Sequence, residues 1–103
     1  VLEHYGEHHT SSGHLYLTRL NGRNRQECNE VIAKMAEVEI ATNVHYKPLP
    51  MMTAYKNLGF DIKDFPNAYH MFENEITLPL YTRLTDEQIE FVISTFRKIV
   101  KEL

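Results

Sequence analysis

Two stretches of the 103-residue chain hold side chains able to do chemistry at spacings short enough for them to act together. In the first, His4, His8, His9 and His14 fall within eleven positions beside Glu3 and Glu7, a set of nitrogen and oxygen donors that suits zinc. Structural zinc sites, however, use Cys or His pairs at fixed spacing on ordered elements, and this segment has no Cys and no sustained hydrophobic period. Residues 1–13 are therefore expected to be a lead-in loop with solvated histidines and no metal site. The second stretch, Asn43-Val-His-Tyr-Lys-Pro-Leu-Pro50, puts the His45 imidazole, the Tyr46 phenol and the Lys47 ammonium at a predicted strand end with a proline-stiffened exit. Strand ends and the loops beyond them are where a scaffold presents ligand-binding groups, and an imidazole titrates near neutrality. Spacing alone favours a plainer assignment, with Tyr46 in the core, His45 facing solvent and Lys47 a surface charge.

Other chemistry lacks its usual residues. There is no Gly-rich phosphate loop, no Gly-x-Ser-x-Gly elbow and no His-Glu-x-x-His pair. The single Cys28 cannot close an intramolecular disulfide and falls on the apolar face of a predicted helix, where burial raises a thiol pKa and a nucleophilic role is not expected. Its solitude fits a reducing compartment, so the expected location is the cytoplasm. Net charge is −3 with the charges scattered, which gives no reason to expect a nucleic-acid partner. The apolar runs are a few residues long, against the roughly 20 a membrane span needs, and no signal or transit pattern is visible. With 43% apolar residues the chain should form one globular domain. A domain near this size buries only about 60 to 65% of its unfolded surface, so a neighbouring domain would help stabilise it. The chain also opens at Val1 without an initiator Met and is expected to be cut from something longer.

The elements that must position these residues can be read in order. His14-Leu-Tyr-Leu-Thr-Arg-Leu20, bounded by Gly13 and Asn21-Gly22, predicts a first strand. Asn24 with Glu27 forms a capping-box pair, and Cys28, Val31, Ile32 and Met35 follow helical spacing. Ile40 to Tyr46 predicts a second strand, with Val44 and Tyr46 on one side and Asn43 and His45 on the other, ended by Pro48 and Pro50. Met51 to Leu58 predicts a short helix stopped by Gly59, with Phe60 folding back onto it. Another begins at Pro66 and carries Ala68, Tyr69 and Phe72. Ile76, Leu78 and Leu80 alternate as a strand, placed at an edge or strand end by Pro79. Last comes a long helix with Thr85 as N-cap, Gln88 completing its box, a Leu84–Ile89 staple, and a stripe of Ile89, Val92, Ile93, Phe96, Val100 and Leu103. The order predicts an α+β fold, a small, mostly antiparallel sheet of about three strands with helices packed on it.

Several of these segments, taken together, resemble the C-terminal domain of the DegT/DnrJ/StrS-type pyridoxal-phosphate-dependent aminotransferases, which act mostly on nucleotide-linked keto sugars. The marks are Ser12-Gly-His-Leu-Tyr16 entering the first strand, the helix after Asn24, Asn43-Val-His-Tyr46 with Pro48 following, Tyr55 through Gly59, Phe65-Pro66, Leu78-Pro-Leu80 and Leu84-Thr-Asp-Glu-Gln88. They stand in the family's order over about His14 to Leu103, so the resemblance makes residues 14–103 the small domain of a fold-type I enzyme. Two positions depart: Asn43 stands where the family often has Gly, and Pro50 where it often has a second His.

The resemblance implies a parent enzyme that holds pyridoxal phosphate on a lysine of a large N-terminal domain absent from these residues. This chain alone should then have no catalytic or cofactor-binding residue and be inactive. It further implies an amino donor such as glutamate, a homodimer, and a role in amino-sugar or cell-surface polysaccharide biosynthesis. The small domain would wall one side of the substrate cleft, with His45 the candidate donor to a diphosphate or sugar oxygen and Tyr46 a supporting wall or second donor. Some relatives are dehydratases, and that choice rests on residues outside this chain. The alternative to all of this is a stand-alone small binding module, metal-responsive through the N-terminal histidines.

Overall fold

Both long helices start on reciprocal side-chain caps. The computed structural model describes residues 3–103, and within them helix α1 spans Arg25–Glu37 and helix α4 spans Asp86–Lys101. Asn24 Oδ1 accepts from the Glu27 N–H at 3.0 Å while Glu27 Oε2 accepts from the Asn24 N–H at 2.9 Å. Thr85 and Gln88 make the same exchange at 3.2 and 3.0 Å. Each box satisfies two of the backbone donors that a helix start leaves free.

The core is small, as the chain length required. Cys28, Val31 and Met35 from α1 meet Ile40, Ile76 and Ile99, with Leu20, Ile32, Val92 and Phe96 packed around them. The stripe expected on α4 is corrected in one respect. Its buried residue is Ile99, whereas Ile89 and Ile93 stay exposed and line a surface hollow. The apolar stripe is wider than the contact α1 offers, so it is divided between core and surface.

Strands β1 (Tyr16–Arg19) and β2 (Glu75–Leu78) pair antiparallel, with Tyr16 opposite Leu78 and Arg19 opposite Glu75. The mixed helix and small antiparallel sheet are as expected, but the sheet has two strands, not about three. Residues 40–46 make a single bridge, in which the Asn43 N–H donates to Thr77 O at 3.1 Å and the Thr77 N–H to Asn43 O at 2.8 Å. The next rung would join the His45 N–H to the Glu75 carbonyl. It does not form, because the His45 N–H donates to the Glu75 carboxylate at 3.0 Å and the Glu75 carbonyl accepts from Arg25 Nη1 at 2.8 Å. Competing side-chain bonds stop the third strand after one residue pair.

Between this bridge and β2 the chain makes an excursion through a 3₁₀ turn (Leu49–Met51), helix α2 (Thr53–Asn57), a second 3₁₀ turn (Ile62–Asp64) and helix α3 (Pro66–Phe72). Helix α2 ends as expected. Gly59 has φ +92°, its N–H donates to Lys56 O, and the Phe60 N–H donates to Tyr55 O while the two rings lie 6.1 Å apart. That is a Schellman cap with its apolar clasp. Helix α1 ends on the same pattern but with Glu39, at φ 63°, in the left-handed position.

The lead-in segment is less featureless than predicted. Tyr5 and Thr10 form a bridge, the Gly6 N–H donates to His9 O at 2.9 Å, and His4 Nδ1 lies 2.9 Å from Ser11 Oγ. Residues 1 and 2 of that predicted loop lie outside the described residues. Among the described residues no helix is long and apolar enough to cross a membrane.

Candidate functional site

Strand alternation builds the site on β2. Ile76 points into the core and is fully buried, which sends Glu75 and Thr77 to the opposite face, toward the Asn43–Tyr46 segment. Glu75 is only 4% exposed, yet both of its carboxylate oxygens are occupied. Oε2 accepts from the His45 N–H at 3.0 Å and Oε1 from the Thr77 hydroxyl at 2.5 Å. His45 Nδ1 in turn lies 2.9 Å from Thr77 Oγ1. A buried charge is tolerated only when hydrogen bonded in this way.

Two arginines hold the frame around these groups. Arg25 Nη1 donates to the carbonyls of Phe72 and Glu75 at 3.0 and 2.8 Å, and its guanidinium carbon lies 5.2 Å from the centroid of the Phe72 ring. Arg19 Nε donates to Asn74 Oδ1 at 2.9 Å, and its Nη2 donates to the His70 carbonyl. Together they fasten the turn between α3 and β2 to α1 and β1, and so fix where Glu75 begins.

His45 lies between two hollows. One, of about 310 Å³, is lined by His14, Thr42, Asn43, Thr77 and Pro79 among others. The other, of about 80 Å³, is lined by Leu17, Arg19, Tyr46, Met71 and Glu75 among others. The Tyr46 ring stands edge-on to the His45 ring with centroids 4.7 Å apart, and Tyr46 is 68% exposed. The two sequence candidates therefore do meet. The plainer assignment is corrected for Tyr46, which is no core residue, and for His45, which is half-buried and bonded rather than simply facing solvent. Lys47 is exposed.

Sequence reasoning did not single out Glu75, Thr77, Arg19 or Arg25. A signal for the first two existed: they occupy the polar phase of the alternation whose apolar phase is Ile76 and Leu78. The arginines carried none, because their carbonyl partners are distant in sequence.

Of the four N-terminal histidines, His14 lines the larger hollow with His45, and His4 and His14 together line another of about 290 Å³. Among the described residues no group of three or more His, Cys, Asp or Glu side chains comes together to hold a metal ion. Cys28 is buried, and burial pushes its thiol pKa up, with Glu27 and Glu75 adding to the rise and Arg25 opposing it. A cofactor held as pyridoxal phosphate is held needs a lysine amine in a pocket. None of the six lysines is buried, and none lines any of five surface hollows that include the two beside His45. None of these lysines is placed as a covalent cofactor site requires.

The chain belongs to the DegT/DnrJ/EryC1/StrS aminotransferase family, whose model matches residues 1–97. It is 35% identical over 98 residues to the uncharacterized protein MJ1066 of Methanocaldococcus jannaschii, a match covering 93% of this chain and 25% of that protein. It is 34% identical over 93 residues to the spore coat polysaccharide biosynthesis protein SpsC of Bacillus subtilis, covering 85% of this chain and 23% of SpsC. Among solved structures it matches Spr1654 of Streptococcus pneumoniae, described as a sugar aminotransferase, with TM-score 0.95 and 52% identity in the PMP form, over 98% of this chain and 25% of that one. The PLP form of Spr1654 matches with TM-score 0.94, over 98% of this chain and 26% of that one. The chain thus spans about a quarter of the length of these relatives.

Proposed function

We propose that the chain is the C-terminal small domain, residues 14–103 behind a lead-in at 1–13, of a pyridoxal-phosphate-dependent aminotransferase that transfers an amino group to a nucleotide-linked keto sugar. The observation that carries this reading is the match to Spr1654, 52% identical over 98% of this chain, in a family of aminotransferases. The likeness to SpsC supports a place in polysaccharide biosynthesis. The cofactor, when bound, supplies the electron sink for the transfer. The chain's own share is structural. It walls one side of the sugar cleft, presents His45 and Tyr46 to the substrate, and excludes water along the face of β2. Alone it neither holds the cofactor covalently nor transaminates. The intact enzyme works in the cytoplasm as a homodimer with an amino donor such as glutamate.

The test is His45→Ala in the full-length protein. Loss of one substrate hydrogen bond, worth ~0.5–1.5 kcal/mol, should raise KM for the sugar nucleotide up to about tenfold while kcat changes little. Unchanged KM and kcat would remove His45 from the site.

A further inference from the structure

The bonds around His45 determine which of its nitrogens carries the proton. Both Glu75 carboxylate oxygens act as acceptors, one from the His45 N–H and one from the Thr77 hydroxyl. A hydroxyl has one proton, and that of Thr77 is committed to Glu75. Toward His45 Nδ1, 2.9 Å away, Thr77 can therefore offer only a lone pair, and Nδ1 must be the donor. Among the described residues Nε2 has no hydrogen-bond partner.

We propose that Thr77 and the buried Glu75 are positioning residues that lock His45 in its Nδ1–H tautomer, so that the neutral ring offers the substrate an Nε2 lone pair. Resting on the reading of His45 as a substrate contact, this names the group it takes. A lone pair accepts a hydrogen bond, so its partner is a donor such as a sugar hydroxyl, and a fully ionised phosphate oxygen, which only accepts, is disfavoured. Under this proposal His45 accepts from the substrate, where the sequence led to the expectation of a donor to a diphosphate or sugar oxygen. The chain Nδ1–H to Thr77 to Glu75 also fixes the ring orientation, as a partner on the far nitrogen does for other functional histidines.

The full-length protein, labelled with ¹⁵N-histidine, tests this by solid-state NMR at pH 8, with the His45 signal assigned by its loss in His45→Gln. Wild type should show a protonated Nδ1 and a bare Nε2. Thr77→Val should release the tautomer and raise KM for the sugar nucleotide about tenfold, roughly one hydrogen bond, while Thr77→Ser restores both. A wild-type signal with the proton on Nε2, or a tautomer unmoved in Thr77→Val, would overturn the proposal. The wild-type reading needs only His45→Gln for assignment, so misfolding of Thr77→Val leaves the tautomer question answered. Should His45→Ala leave KM unchanged while the tautomer behaves as described, the substrate reading falls and the positioning relay stands.

Discussion

Replacing Arg25 by Met should destabilise the fold by about 3 kcal/mol, although the residue sits at the first position of a helix where substitutions are commonly mild. Met keeps the aliphatic stem and removes the guanidinium. Lost with it are the bonds from Nη1 to the Phe72 and Glu75 carbonyls at 3.0 and 2.8 Å, an exposed bond from Nε to Asn29 Oδ1 at 2.9 Å, and the contact over the Phe72 ring at 5.2 Å. A hydrogen bond from a charged donor contributes ~1.5–3 kcal/mol. Bonds made by one guanidinium are not additive, so together they are counted as about one such bond, to which a cation–π contact adds ~0.5–1 kcal/mol. Arg25→Lys keeps a charge near the ring but loses the planar fork, and should fall about midway. Urea unfolding followed by circular dichroism measures both. A loss under about 1 kcal/mol for Met, or none for Lys, would refute the view that this guanidinium holds the start of β2 in place.

Further outcomes follow at Glu39 and at Cys28. Glu39→Gly should stabilise the protein by ~0.5–1 kcal/mol, because Gly adopts the left-handed conformation found at φ 63° without the penalty a side chain carries; a lower Tm would contradict it. Cys28 should resist alkylation in the folded state and react on unfolding, as its thiol is buried and its pKa raised, chiefly by desolvation. With the native pKa above the unfolded one, this group's contribution is complete below the ordinary thiol pKa and is lost as pH rises through the native value. Tm should therefore fall less above pH 9 in Cys28→Ala than in the wild type, and equal slopes would count against it.

The helices were legible because their signals are local. Asn24 with Glu27, Thr85 with Gln88, Gly59 with Phe60, and Pro66 each act within a few residues of the backbone group they satisfy, and the structure bears each of them out. What failed depended on distant partners. The third strand was predicted from β-branched and aromatic residues at 40–46, but its fate was decided by Arg25 and Glu75, some twenty and thirty positions away. Ile89 and Ile93 fit the α4 stripe as well as Ile99 would, and only the position of α1 separates them. His45 and Tyr46 were marked by type and place. The Thr77 and Glu75 relay behind them was not, since nothing in a sequence shows that a polar strand phase turns toward a histidine 30 and 32 residues back.

The failure of the third strand and the formation of the site are one event. A longer ladder would join the His45 N–H to the Glu75 carbonyl, and the carboxylate would then lose one of the two donors that make its burial tolerable. Arg25 prevents this by taking the carbonyl, which leaves the His45 N–H for the side chain and sets the imidazole against Thr77. Sheet extension, which contributes to stability, is thus exchanged for a fixed histidine. The same logic extends to the excursion beyond it, where Leu49, Met52, Leu58 and Phe60 stay exposed and the two 3₁₀ turns and α2 bury no residue. A chain that stops its own sheet at one rung and leaves that much apolar surface uncovered gives up stability at two adjoining places. Under the proposed function, in which the chain is one domain of a larger enzyme, the rest of that enzyme would supply what this part withholds.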